Sequence, residues 1–277
     1  MTAIQPPHPP PTIGLKTDSL LVDRTDAVVT LTMNRPDAMN ALTVDLKEAL
    51  RDTLASIETD RSIRAVVLAG AGKAFCVGQD LREHERDLKK GATELDTVRQ
   101  HYNPIAQRLA SLPKPVVAAV RGTAAGAGAS LALLADFRIG GPRTTFLMAF
   151  ANVGLAGDTG ISWSLPHIVG RARALELLLL AQPLRAQESM EYGLLTQLVE
   201  DDEQVLTTAQ EFAARLAAGP TVAYAAIKRE LSIGTAGSLS DALAAEAQAQ
   251  AICGATADHQ AAVASFVAKE RPVFEGR

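Results

Sequence analysis

Two glycine-rich segments constrain the fold of this chain more than any other feature. They lie at 70–79 and 121–130, and each follows a short all-apolar run, 65–69 and 116–120 respectively. Each is followed by a helical pattern, so the order is twice buried strand, loop and helix, which is typical of a layered α/β protein. Both loops also present backbone N–H groups near a helix start, where unpaired donors and the helix dipole stabilise an anion.

The flanking segments extend this α/β pattern. The runs 20–24 and 28–33 predict a β-hairpin. Thr43 predicts the N-cap of a helix ending near Asp60, and Asp80 followed by Glu83 predicts a capping box at the next helix start.

The chain divides by pattern into three regions. Residues 1–17 form a Pro-rich lead-in that we expect to be disordered, and 18–200 carry the α/β pattern. Residues 201–277 are almost purely helical and rich in Ala, which predicts a helical oligomerisation module.

Composition excludes several classes of protein. The net charge of -4 argues against a nucleic-acid partner, which needs a concentrated basic surface. No apolar run reaches the roughly 18 residues that a bilayer span requires, and residues 5–11 lack the apolar core of a signal peptide. Cys76 and Cys253 offer neither a disulfide framework nor metal-ligand spacing. We expect a cytoplasmic protein with no membrane, nucleic-acid or metal partner.

Nucleotide binding is the first function that a strand, glycine loop and helix suggest. The spacing does not fit, because Gly126 and Gly128 would require a third glycine at Leu131, and Asp136 lies too close for a ribose-binding acid. Taken singly, the glycines also fit tight turns and close packing.

Four segments in order resemble the signatures of the crotonase (enoyl-CoA hydratase/isomerase) superfamily. They are NRPDAMNAL at 34–42, KAFCVGQDL at 73–81, KPVVAAVRG at 114–122 and GAG at 126–128. The resemblance implies a spiral of ββα units, an acyl-CoA thioester substrate, and C-terminal helices that assemble a homotrimer or a dimer of trimers. Coenzyme A is part of the substrate there, so no separate cofactor is expected.

The resemblance also implies roles for individual residues. The backbone N–H groups of Gln79 and Ala127 would form an oxyanion hole for the thioester carbonyl. The substrate-binding residues would be Ala38, Cys76, Gln79, Ala127, Ser130 and Phe150. Arg35, or Lys269 of a neighbouring chain, could meet the coenzyme A phosphates, although solvated surface charge is the simpler reading of either.

The sequence offers one candidate catalytic carboxylate, whereas a hydratase uses two. The hydratase pattern has glutamates at the positions of Ser130 and Phe150, and neither residue here can act as a base. Asp158, in the turn GDTG at 157–160, resembles the proton shuttle of the isomerase branch, which includes the ring-epoxide isomerase of phenylacetyl-CoA breakdown and the 3,2-enoyl-CoA isomerases. Local sequence alone also allows Asp158 to be the N-cap of the helix that contains Trp163.

Other ionisable residues favour structural roles. Asp136 reads as a buried cap, His167 as helix surface, and the run 83–85 as a solvated part of a lid. Cys76 reads as a small buried apolar residue. We therefore expect isomerisation of an enoyl-CoA or a ring-epoxide acyl-CoA through Asp158, with hydration of a 2-enoyl-CoA as the alternative. A non-catalytic acyl-CoA-binding scaffold is the alternative if Asp158 is only a cap.

Overall fold

The computed structural model describes residues 17–91 and 96–277, so the Pro-rich lead-in lies, apart from Thr17, outside the described residues. The described residues form ten strands: β1 (Leu20–Thr25), β2 (Val28–Met33), β3 (Ala65–Gly70), β4 (Ala74–Cys76), β5 (Val116–Val120), β6 (Thr123–Ala125), β7 (Phe137–Gly140), β8 (Thr145–Leu147), β9 (Leu184–Arg185) and β10 (Gln197–Leu198).

The same residues form ten α-helices. They are α1 (Val44–Thr59), α2 (Leu81–Lys89), α3 (Asn103–Ser111), α4 (Ala127–Leu134), α5 (Ile161–Leu180), α6 (Ala186–Glu191), α7 (Gln204–Ala217), α8 (Thr221–Ala236), α9 (Leu239–Gly254) and α10 (Ala257–Ala268). A π-helical turn, Val98–Tyr102, leads into α3.

The strands build two sheets that the chain visits alternately. The larger sheet has the order β1-β2-β3-β5-β7-β10 and the smaller one β4-β6-β8-β9. The first pair is the predicted hairpin, with Leu20 opposite Met33, and β2, β3, β5 and β7 are parallel. Each of β3-β4, β5-β6 and β7-β8 places one strand in each sheet before a helix follows. The predicted α/β fold of spiralling ββα units is confirmed.

Helices cover both faces of the larger sheet because its central strands are apolar on both sides. On one face, α1, α3 and α4 contribute Leu50, Leu109 and Leu131 to the main core. On the other face, α7 packs Ala209 and Ala213 against the sheet. The helical region that begins at residue 201 therefore differs along its length, since its first helix belongs to the layered core.

The last three helices expose much of their apolar surface. No residue of α8 is buried, and α9 and α10 bury only Ala249 and Asp258. Exposed apolar side chains on these helices are Ile227, Leu231, Leu239, Leu243, Ile252, Val263, Phe266 and Val267. No helix in the described part of the chain is long and apolar enough to cross a membrane.

Candidate functional site

A cleft of about 700 Å³ opens where the two glycine-rich loops meet. Its wall combines both loops with the start of α2, the π-helical turn and the loop before α5. The lining residues on which the chemistry depends are Ala38, Gln79, Tyr102, Ala127, Phe150 and Asp158. Segments far apart in the sequence thus converge on one concave site.

The first glycine loop leaves the Gln79 N–H without a partner. Leu42 donates its N–H to the Gly78 carbonyl at 2.7 Å, and Asp80 donates its own to the Leu42 carbonyl at 3.1 Å. These two bonds fix the backbone on either side of Gln79, whose N–H bonds to no other residue of the described chain. A backbone donor held in this way is preorganised for an external acceptor.

Gly78 allows the two loops to approach each other. Its φ of +85° lies in a region that glycine adopts without strain and other residues rarely adopt. A Cβ there would lie 2.9 Å from the Ala125 carbonyl oxygen and 3.1 Å from the Ala127 nitrogen. A Cβ on Gly128 would lie 2.1 Å from the Cys76 carbonyl oxygen. Any larger residue at these two positions would push the loops apart.

Ala127 is the first residue of α4, and helical geometry leaves its N–H without an intrahelical acceptor. The helix follows Gly126, whose φ is +51°, so the chain turns sharply into it. Ala127 and Gln79 line the same cleft. The structure therefore brings together the two residues whose N–H groups are predicted to form the oxyanion hole.

Asn40 fixes the backbone of the first glycine loop through side-chain hydrogen bonds. This structural role was not predicted from the sequence. Asn40 is fully buried, and its amide Nδ2 donates to the carbonyls of Ala71 at 2.9 Å, Ala74 at 2.8 Å and Phe75 at 3.2 Å. Its Oδ1 accepts from the Arg35 N–H at 2.9 Å. The signal was its place in a strand-to-helix connection, where Asn tolerates the observed φ of +57°.

Asp158 is half-buried in the cleft wall, and its side chain caps no helix. Helix α5 begins after Gly160 without a side-chain cap, and only the Asp158 carbonyl accepts from Ile161 N–H. The carboxylate accepts one bond, at 2.8 Å, from the Thr159 hydroxyl. The N-cap interpretation of Asp158 is therefore wrong for this structure.

The surroundings of Asp158 suit a base. Burial raises the pKa of its carboxyl, and the hydrogen bond from Thr159 and the charge of Lys47 act in the opposite direction. A carboxylate with a raised pKa binds a proton more readily than an exposed one, which a group that accepts and returns a proton needs.

The other carboxylates in the described wall of the cleft differ from Asp158. Asp37 is exposed at the rim. Asp80 forms an ion pair of 2.9 Å with Arg35 and accepts from the N–H groups of Arg82 and Glu83, both at 3.1 Å. Burial acts to raise the Asp80 pKa, but the bonds from Glu83 and Arg35 hold it below its ordinary value.

The predicted capping box at α2 forms only in part. Asp80 accepts as the N-cap, whereas Glu83 accepts from the Val44 N–H at 3.0 Å, at the start of α1. The Asp80 N–H is not available to Glu83, because it donates to the Leu42 carbonyl. Glu83 thus ties the predicted lid helix to α1.

Ser130 and Phe150 are placed differently relative to the cleft: Phe150 lines it together with Asp158, whereas Ser130 does not line it. Ser130 is fully buried in α4, and its hydroxyl lies 3.3 Å from the Asp158 carbonyl oxygen. Phe150 is 6% exposed and lines the cleft. The two positions that would hold a carboxylate in a hydratase thus carry a phenyl ring in the cleft wall and a buried hydroxyl behind it. The predicted contact of Ser130 with substrate is not supported, because its side chain is buried at the Asp158 backbone.

The remaining predicted substrate contacts divide in two. Ala38 lines the cleft at its rim. Cys76 is fully buried behind the wall with its thiol donating to the Asn40 carbonyl at 3.1 Å, and burial raises its pKa to about 12. Arg35 lines the cleft but is paired with Asp80, and Lys269 is exposed at the end of α10.

Asp136 and His167 lie elsewhere. The Asp136 carboxylate accepts from Val116 N–H at 2.8 Å and from the Lys228 ammonium at 2.7 Å, so it ties β5 to α8. His167 is exposed on α5. A cluster that includes Lys47, Thr97 and Tyr102 lies directly behind Gln79 and was not identified from the sequence.

Comparison with known proteins places this cleft in context. The family model for enoyl-CoA hydratase/isomerase matches residues 23–277. The 1,2-epoxyphenylacetyl-CoA isomerase of Escherichia coli K12 is 42% identical over 251 residues, covering 90% of this chain and 95% of that protein. A protein of Rhodobacter capsulatus named a probable enoyl-CoA hydratase is 41% identical over 257 residues, covering 91% and 96%.

A solved structure agrees with these sequence matches. A Mycobacterium abscessus protein assigned as an enoyl-CoA hydratase/isomerase superposes with a TM-score of 0.89 at 42% identity, covering 93% of this chain and all of that one. The family resemblance predicted from the four segments is confirmed.

The Asn40 network generates a prediction of stability. Asn40→Ala removes four hydrogen bonds and places Ala at positive φ, so we expect the free energy of unfolding to fall by at least about 2 kcal/mol. Asn34→Ala is the control, since Asn34 makes one exposed bond to the Asp18 carbonyl. Denaturant unfolding of both variants checks this, and equal losses would show that the Asn40 network does not support the loop.

Proposed function

The chain belongs to the enoyl-CoA hydratase/isomerase family, and we propose that it isomerises an acyl-CoA thioester with Asp158 as its proton shuttle. The observation that carries the proposal is the state of the Asp158 carboxylate. It lies in the cleft with the two unpartnered N–H groups of Gln79 and Ala127, has a raised pKa, and caps no helix.

The proposed reaction needs one base. Asp158 removes a proton from the α-carbon, and the electron pair of that C–H bond moves onto the thioester oxygen to give an enolate. The N–H groups of Gln79 and Ala127 stabilise the oxygen, each contributing roughly 3 kcal/mol at the transition state. In a 3-enoyl-CoA, Asp158 then returns its proton at the γ-carbon as the double bond moves to the 2-position, so atoms and charge balance without a co-reactant.

The proposed substrate is an enoyl-CoA or a ring-epoxide acyl-CoA. The name of the Escherichia coli relative supports the second. The apolar side chains of Val98, Phe150 and Leu155 line the cleft beside Asp158 and suit a hydrocarbon chain or ring. We place the acyl group against this wall and the coenzyme A arm at the rim near Ala38.

Hydration is the alternative, and the name of the Rhodobacter capsulatus relative favours it. Adding water to a 2-enoyl-CoA is best served by two carboxylates that hold one water molecule. Ser130 and Phe150 supply none beside Asp158, which is why isomerisation is the preferred proposal.

We also propose that the protein works as a homotrimer or a dimer of trimers. The support is the apolar surface of α8, α9 and α10, where Leu239 is 75% exposed and Phe266 84% exposed in the single chain. Apolar patches of this kind mark protein interaction surfaces.

The role of Asp158 predicts the effect of Asp158→Asn. The amide keeps the shape and the bond from Thr159 but cannot take a proton, so kcat for bond migration should fall by at least about a hundredfold while KM changes little. Wild-type activity should also fall as the pH drops through the raised Asp158 pKa, because only the carboxylate is a base. A panel of acyl-CoA thioesters, assayed in parallel for bond migration and water addition, gives both quantities.

The control for that experiment is Asp23→Asn, the same chemical change at an exposed position on β1. It should leave both constants unchanged. Full activity of Asp158→Asn would show that another group is the base, and a wild type that binds acyl-CoA without turnover would leave the binding scaffold. Rapid hydration of crotonyl-CoA without bond migration would favour the hydratase.

The oxyanion hole predicts a contrast between two variants of Ala127. Proline is tolerated at the first position of a helix, so Ala127→Pro can fold while losing the N–H donor. Its kcat should fall by about a hundredfold or more, whereas Ala127→Gly, which keeps the donor, should remain within a few-fold of wild type. Melting temperatures confirm folding. A folded Ala127→Pro enzyme with normal turnover would exclude this N–H group.

Assembly predicts a sedimentation result. Analytical ultracentrifugation at micromolar concentration should give the mass of three or six chains. Phe266→Glu places a charge on the exposed apolar surface and should shift the distribution towards smaller species, because burying an unpaired charge is costly. A monodisperse wild-type monomer would contradict the proposed assembly.

A further inference from the structure

A buried lysine lies behind the proposed oxyanion hole. Lys47, on α1, is fully buried, and its Nζ donates to the Gln79 side-chain Oε1 at 3.2 Å and to the Thr97 hydroxyl at 2.5 Å. The Nζ also lies 5.1 Å from the centroid of the Tyr102 ring. Burying an ammonium group costs free energy unless partners compensate, so its place beside the cleft calls for a reason.

Lys47 sets the orientation of the Gln79 carboxamide. An ammonium group can only donate, and the Tyr102 hydroxyl also bonds to the same Oε1, so the oxygen must face Lys47 and Tyr102. The amide NH₂ is then directed away from both. Two donors thus hold the side chain of the residue whose backbone N–H is the proposed oxyanion donor.

The polar groups around Lys47 come from several elements. The charge of Lys47 interacts with four carboxylates, those of Glu83 and Asp87 on α2, Asp80 and Asp158. Burial lowers the Lys47 pKa, and these four carboxylates oppose that change. Just before the π-helical turn, the Thr97 hydroxyl lies 3.1 Å from Nδ1 of His101, a residue of that turn. Burial lowers the His101 pKa, and the Lys47 charge acts in the same direction.

Asp158 experiences the same charge. The groups around it are the Thr159 hydroxyl on its own loop, the Ser130 hydroxyl of α4 at its carbonyl, the Tyr102 phenol and Lys47. Lys47 is the cation of this set. It acts to hold the Asp158 carboxyl ionised against the effect of burial.

We propose that Lys47 is a positioning residue of the catalytic site, which fixes the Gln79 side chain behind the oxyanion hole and supplies a positive charge whose field extends to the Asp158 carboxylate. The inference rests on the proposed use of Asp158 as a base. Lys47 touches no reacting atom and acts through Gln79 and through its field. In a low-dielectric site a fixed charge of this kind costs no reorganisation when the enolate forms.

The test is proton exchange at the α-carbon, which reports enolate formation whatever product follows. Butyryl-CoA is incubated with the enzyme in D₂O across a range of pH, and loss of the α-proton signal is followed by NMR. Lys47→Met removes the charge and the two bonds, so exchange should slow by about tenfold or more at its optimum.

The pH dependence carries the sharper result. Without the lysine charge, which opposes the effect of burial on the Asp158 pKa, that pKa rises, so the acid limb of the exchange profile should move to higher pH. Lys47→Arg keeps the charge and should keep the limb near its wild-type position, even if the altered geometry slows exchange.

Lys114→Met is the matched control. Lys114 is also buried, but its ammonium donates to the Glu58 carbonyl at 3.3 Å and the Asp60 carbonyl at 2.8 Å at the end of α1, away from the cleft. This variant should lower the melting temperature without moving the acid limb. An unchanged limb in Lys47→Met, or losses in all three variants that follow melting temperature alone, would overturn the proposal.

The products of wild-type turnover separate this inference from the proposed function. If the wild type exchanges the α-proton of butyryl-CoA but adds water to an enoyl-CoA rather than shifting its double bond, the isomerase proposal fails while the Lys47 result still stands. Absence of exchange in the wild type would overturn both.

Discussion

The close approach of the two glycine loops is the constraint on which the rest of the site depends. A Cβ at Gly78 or Gly128 would meet backbone atoms of the opposite loop, so contact at this distance requires glycine at both places. This close approach brings the N–H groups of Gln79 and Ala127 to one cleft. Asn40 fixes the first glycine loop by donating to three of its carbonyls. The spiral of ββα units makes the approach possible, because successive units deliver equivalent loops to the same edge.

Ionisable groups behind this backbone frame give the cleft its chemical character. Asp80 is neutralised by Arg35 and by the N–H groups of α2, and Asp136 by Lys228. Among the described residues, the Asp158 carboxylate accepts a hydrogen bond only from the Thr159 hydroxyl, and its burial raises its pKa. A carboxylate left in this state is weakly stabilised as an anion, and that is the condition for a base.

Much of this could be predicted from sequence, and the parts that could not have a common cause. The hairpin, the Thr43 cap and the glycine loops follow from local patterns, and four segments in order were sufficient to identify the family. The role of Asp158 was ambiguous because an aspartate before a helix can be either an N-cap or a base. The structure distinguishes the two, since no side chain in the described chain caps the N-terminus of α5. Lys47 was missed because a lysine within a helix is usually solvated, and its burial depends on Thr97 and Tyr102, 50 or more positions away.

Whether one group moves the proton is the central claim, and the fate of that proton tests it most directly. A 3-enoyl-CoA deuterated at its α-carbon should give an isomerised product that retains part of its deuterium at the γ-carbon, because the half-buried Asp158 carboxyl returns the deuteron that it removed. Deuterium content at that carbon is measured by mass spectrometry and NMR after a single turnover. A product whose γ-hydrogen comes entirely from solvent, or a hydrated product, would contradict the single-base account.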